Sequence, residues 1–144
     1  MAATMHIHYR NDLAELNRLA ADIENFAAEN GIDPSIAHAF NLCLDELFTN
    51  TVSYGSVVGR PHEIKLELHA TPHEVIAILR DNGRAFDPLT QAPQPDLHAP
   101  IETRKIGGLG VYFVKTLMTR VHYRHEHGWN ILEMASARQQ PPTA

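Results

Sequence analysis

The stretch EIKLELHATPHEVIAILR, residues 63–80, constrains the fold more than any other part of the chain. Ile64, Leu66 and Leu68 alternate with polar residues, the period-two pattern of a strand with one covered face. TPHE then turns, and VIAILR follows as a continuous apolar run suited to a central strand. Two segments joined this tightly form neighbouring antiparallel strands, and such a pair is stable only with further strands and a covering layer. The rest of the chain supplies both. MHIHYR alternates at Met5, Ile7 and Tyr9 and reads as a strand at a sheet edge. Leu13, Leu16, Leu19, Ile23 and Phe26 follow at helical spacing until Asn30-Gly31 stops the helix. Asp33 as N-cap and Pro34 at the first position start a second helix, which runs to Ser53 or Tyr54. Its core stripe is Ile36, Phe40, Cys43, Leu47 and Tyr54. LGVYFVKTLMTR reads as a third helix, and VHYRHEHGWNILEMA as a hairpin turning at His127-Gly128.

The order strand, helix, helix, strand, strand, long loop, helix, strand, strand predicts an α+β fold. It is a two-layer sandwich with a mostly antiparallel, mixed sheet and three helices on one face. The loop DNGRAFDPLTQAPQPDLHAPIETRKIGG carries four prolines and almost no periodicity. It far exceeds the usual connection of about 4–6 residues, the mark of a functional or disordered segment. At 144 residues the chain fits one domain, since folding at this size removes roughly 70% of the unfolded surface from water. A net charge of −5 without a basic run argues against a nucleic-acid footprint. No apolar run is long enough to span a bilayer, and MAATMHIHYR has no export signal. One cysteine, Cys43, suits a reducing compartment, so the expected location is the cytoplasm.

Three polar features stand out. Glu46 and Asn50, four residues apart, project from one flank of the second helix. Burying a carboxylate without a partner is costly, so the pair either flanks a cleft where a cation or substrate completes its bonding or is an incidental pair on an exposed flank. Asp81 ends the central strand ahead of Asn82-Gly83. It can read an exocyclic amine there, with Gly83 admitting a flat ligand or taking a positive φ, or the three residues can be a simple turn. GGLG, Gly107 to Gly110, leads the third helix, where backbone amides and the helix dipole make either a phosphate seat or a structural junction. No G-x-x-x-x-G-K-[ST] run exists, and Phe113 stands where a dinucleotide fingerprint needs glycine. His125 and His127 alternate onto one strand face but lack a third metal ligand at a diagnostic spacing. Cys43 reads as a core thiol.

Taken in order, LDELFTNTVSYG, DNGRAFDP, the proline-rich loop and IGGLGVYFVKTLM resemble the GHKL superfamily of ATP-binding domains, the Bergerat fold of histidine kinases, gyrase-type topoisomerases, certain chaperones and anti-sigma-factor serine kinases. The resemblance covers most of the chain and is strongest to the anti-sigma-factor serine/threonine kinase branch. It implies ATP and Mg²⁺ as cofactors, with Asn50 on the magnesium, Glu46 as general base, and Asp81 accepting from the adenine amino group. It further implies that Gly83 and Phe86 lie at the base, and that Gly107, Gly108, Leu109, Gly110 and Val111 admit the phosphates. Residues 89–106 match the mobile lid, in which Arg104 and Lys105 are candidates for neutralising charge on the phosphate.

The implied function is phosphorylation of a small anti-anti-sigma (antagonist) protein, coupled to sequestering a sigma factor or similar regulator, without nucleic acid or membrane and with a homodimer as a common assembly. The alternative is an ATP-binding adaptor that captures a partner without phosphotransfer. Residues 1–138 are expected to form the single kinase domain and 139–144 a flexible tail. Several branches carry a threonine in the last hairpin where this chain reads GWNILEM, so Asn130 either covers that contact or the contact is absent. No helical pair with a phospho-acceptor histidine precedes the domain, so a complete histidine kinase is not expected.

Overall fold

A computed structural model describes residues 2–91 and 109–138. Five strands, β1 (Ala3–Arg10), β2 (Glu63–Ala70), β3 (Glu74–Asp81), β4 (Arg120–Glu126) and β5 (Trp129–Ala137), form a sheet in the order β1-β2-β3-β5-β4. Every pairing is antiparallel, so the sheet is not mixed. The physical reason is that β2–β3 and β4–β5 are hairpins, antiparallel by construction, while β1 meets β2 across the α1–α2 connection and β3 meets β5 across a connection that includes α4 and β4. The helices are α1 (Leu16–Glu29), α2 (Pro34–Tyr54), the single turn α3 (Pro88–Gln91) and α4 (Leu109–Leu117).

Local chemistry sets most of these boundaries. The β2–β3 turn is closed by Thr71, whose backbone amide bonds the Glu74 carbonyl at 2.9 Å while its hydroxyl accepts from the amide of Glu74 at 3.0 Å. His127 and Gly128 both take positive φ, as the β4–β5 hairpin turn requires, so His127 sits in the turn and does not share a strand face with His125. Gly31 at φ +61° ends α1, and Asp33 caps α2 by accepting from the Ser35 amide at 2.8 Å. α1 begins later than its apolar spacing predicts. Asp12 caps a short 3₁₀ turn, Leu13–Glu15, that leaves Leu13 exposed while Glu15 turns inward.

The inward rows Ile64, Leu66, Leu68 and Val75, Ala77, Leu79 pack under Leu19, Ile23 and Phe26 of α1 and under Phe40, Cys43, Leu44, Leu47 and Phe48 of α2. Val114 and Met118 join the same core from the α4 side. The helices therefore cover one sheet face. Each large side chain so buried stabilises the fold by roughly 1.5–3 kcal/mol. Burial pushes the Cys43 thiol up to about 12, as expected of an inert core cysteine. Tyr54, expected in the α2 stripe, is exposed instead and stacks on Phe86, with ring centroids 5.4 Å apart at 28°. It is the last residue of α2. β3 is central and β1 is an edge, as their patterns predict. Pairing brings Asp81, the last residue of β3, opposite Asn130 of β5 and Ile64 of β2.

Candidate functional site

A cleft opens between the C-terminal half of α2 and the sheet end where Asp81 and Asn130 pair. Leu47, Leu79, Leu132 and Phe86 give it apolar walls, and Asn50, Asp81, Arg84, Tyr123 and Asn130 add polar groups. A cleft with apolar walls and a few convergent polar atoms is the general form of a small-molecule site.

Asp81 is 7% exposed and held by three donors, all on Oδ1. The Gly83 amide donates at 3.0 Å, Asn130 Nδ2 at 3.0 Å, and His62 Nε2 lies 3.1 Å away. Asn130 is itself fully engaged. Its Nδ2 also donates to the Arg84 carbonyl at 2.9 Å, and its Oδ1 accepts from the Phe86 amide at 3.1 Å and from the Tyr123 hydroxyl. Burial raises the Tyr123 hydroxyl above the ordinary tyrosine range. Asn130 thus joins Asp81 directly across the β3–β5 pair.

Gly83 takes no positive φ, and a Cβ added there would lie 2.3 Å from the Gly55 carbonyl oxygen and 2.6 Å from His62 Nε2. The close approach that requires glycine is to the chain's own backbone and imidazole. Arg84 completes the contact by donating its amide to the Gly55 carbonyl at 2.7 Å.

On the opposite wall Asn50 is 6% exposed, and its Nδ2 is buried with no hydrogen-bond partner among the described residues. An orphaned amide of this kind costs about 1–3 kcal/mol, an expense folded proteins rarely retain without use. Glu46, one turn earlier, is half-buried and does not line the cleft among the described residues. Of the other expected site residues, Phe86 lines the cleft and Val111 is fully buried on α4. Leu109 and Gly110 open α4, their side chains outside the described residues, as are Arg104, Lys105, Gly107, Gly108 and most of the expected lid. Sequence reasoning missed His62 and Tyr123. Tyr123 had a usable signal, its inward place in the alternation Val121, Tyr123, whereas His62 stands alone before β2 with no pattern around it.

The sheet is covered on one face, and the polar-lined cleft lies between its covering helix and its strand ends. Residues 9–136 match the histidine kinase-like ATPase domain family. The serine/threonine-protein kinase BtrW of Bordetella bronchiseptica is 33% identical over 114 residues, 79% of this chain and 80% of that protein. The serine-protein kinase RsbW of Listeria innocua is 24% identical over 132 residues, 90% of this chain and 83% of that one. A crystal structure of the RsbU and RsbW domains of a Mycobacterium tuberculosis protein superposes with a TM-score of 0.67 at 16% identity, a likeness of fold alone. It covers 99% of this chain, which spans about a third of that longer chain (35%). The chain belongs to the histidine kinase-like ATPase domain family, in the branch that holds BtrW and RsbW, and is a protein kinase of the serine/threonine type.

Proposed function

We propose that this kinase binds Mg²⁺-ATP in the cleft and phosphorylates a serine or threonine of a small anti-anti-sigma protein, and that it also sequesters a sigma factor or comparable regulator. The observation that carries the reading is the polar pair across the cleft: Asn50, whose buried Nδ2 has no partner among the described residues and so can donate to a ligand oxygen, and a rigidly held Asp81. The donor set fits the nucleotide. Asp81 supplies an acceptor for the amino group of adenine, Phe86 and the leucine walls cover the ring, and Asn50 offers the hard oxygen that Mg²⁺ prefers. Magnesium held there would neutralise charge on the phosphates.

In the transfer itself the acceptor hydroxyl oxygen bonds to the terminal phosphorus while the bond to the ADP oxygen breaks. Glu46 takes the hydroxyl proton. Arg104, Lys105 and the glycines of GGLG serve the phosphates from the segment that leads into α4, and residues 1–138 act as one unit with 139–144 as a tail. No helix among the described residues is long and apolar enough to cross a membrane, in keeping with a cytoplasmic place of action.

A second reading, an ATP-binding adaptor that captures its partner without phosphotransfer, is favoured by one observation: Glu46 stands outside the cleft lining. Labelled ATP and a candidate antagonist separate the two. The kinase reading expects labelled phosphoserine or phosphothreonine, with Glu46→Gln keeping nucleotide affinity and slowing transfer by about 10²–10⁴-fold. Transfer by Glu46→Gln at the parental rate removes the general base, and a parent protein that does not bind Mg²⁺-ATP removes the nucleotide site.

A further inference from the structure

We propose that His62 is a positioning residue for base recognition, fixing the Asp81 carboxylate so that Oδ2 is the oxygen presented to the purine amino group. This deepens, and rests on, the reading of Asp81 as the adenine acceptor.

The His62 side chain is 4% exposed, and its Nε2 lies 3.1 Å from Asp81 Oδ1. A carboxylate accepts, so Nε2 is the nitrogen that donates, which leaves Nδ1 to face Ser56 Oγ at 3.5 Å. Ser56 Oγ in turn accepts from Asn11 Nδ2 at 2.7 Å. The donor direction is consistent from end to end: Asn11 donates to Ser56, Ser56 to His62, and His62 to Asp81. Three separate segments, the turn after β1, the loop after α2 and the end of β3, are tied to one carboxylate oxygen.

The ring is also wedged in place. A Cβ at Gly55 would sit 3.0 Å from His62 Cε1, and one at Gly83 would sit 2.6 Å from Nε2, so two glycine backbones lie against the imidazole. With the Gly83 amide and Asn130 Nδ2 on the same oxygen, Oδ1 carries three donors and Oδ2 none of them. Rotating the carboxylate would break that arrangement. A site that discriminates by a hydrogen bond to a substrate amine rejects the analogue lacking it only as far as the acceptor is fixed in place.

The test compares affinities for ATP and for purine riboside triphosphate, which lacks the amino group, by calorimetry, with circular dichroism to verify folding. The parent is expected to prefer ATP and Asp81→Asn to lose the preference. His62→Leu is expected to weaken ATP on the order of tenfold, the usual loss for a hydrogen bond to a charged group, and to leave the analogue unchanged. His62→Gln, whose amide donates from nearly the same reach, is expected to restore most of the preference. In an Asp81→Asn background, His62→Leu is expected to add nothing.

Equal losses for both nucleotides would mean that His62 merely supports the fold, and would overturn the proposal. If His62→Leu does not fold, His62→Gln and the shorter His62→Asn decide, since equal ATP preference in those two also overturns it. Preference lost in Asp81→Asn but kept in folded His62→Leu sinks the His62 role alone. Preference kept in Asp81→Asn, or missing from the parent, sinks the adenine reading itself.

Discussion

Two buried carboxylates, Glu15 and Asp81, are held in opposite ways. Glu15 uses both oxygens. Oε2 accepts from the Arg10 amide at 3.1 Å and from Arg18 NH2 at 2.5 Å, and Oε1 accepts from Arg10 NH2 at 3.4 Å. The Arg18 guanidinium and the Arg10 amide hold its carboxyl down to about 2. Asp81 is held by an imidazole, a backbone amide and a side-chain amide, all on one oxygen, at the floor of a cleft. A carboxylate closed on both oxygens by cations ties the 3₁₀ turn to β1 and α1. One fixed on a single oxygen beside open space is arranged to meet something else.

The contrast breaks if Asp81 proves to be another structural tie. Asp81→Asn is expected to lower ATP affinity by about a hundredfold, since the amide oxygen can keep the three donors while an NH2 donor replaces the Oδ2 acceptor offered to the purine amine. Titration calorimetry measures it, and unchanged affinity would place Asp81 with Glu15 as scaffold.

Asn50→Ala sharpens the same comparison from the facing wall. It is expected to weaken Mg²⁺-ATP by about tenfold while leaving the ligand-free protein as stable as the parent or more so, because it removes an unpaired buried amide. Thermal melts with and without nucleotide show both signs. A loss of ligand-free stability would mean that the amide has a structural bond.

The smallest expected effect is at Glu15. Glu15→Gln should lower the melting temperature at neutral pH and leave ATP affinity unchanged. The folded-state pKa lies below the ordinary 4.5, so the stability from the ionised group is present above about 4.5 and is lost as pH falls toward about 2. The difference in melting temperature between parent and variant should close over that interval. A difference that persists unchanged to pH 2 would mean that the carboxylate charge is not what stabilises the turn.

Much of this was legible in the chain. Alternation in EIKLELHA and in MHIHYR, the Asn30-Gly31 stop and the Asp33-Pro34 start each depend on chemistry within a few residues, and the structure places strands and helices there. Asn50 and Asp81 could be singled out, the one as an amide on the flank of an apolar helix stripe and the other as a carboxylate ending a buried strand, and both line the cleft. Gly83 could be singled out too, but not its reason, because the atoms that exclude a Cβ belong to Gly55 and His62, far away in the sequence.

The sequence by itself determined the elements, their apolar faces and the two polar exceptions, because helical and strand periodicities are set by backbone geometry common to every chain. Only the tertiary structure decided what those exceptions meet. Strand register set Asn130 opposite Asp81, the loop after α2 laid His62 against the same oxygen, and the end of α2 left Tyr54 outside the core to stack on Phe86. Such contacts join residues tens of positions apart, and no local spacing encodes a distance that exists only once the sheet and the helix layer have packed.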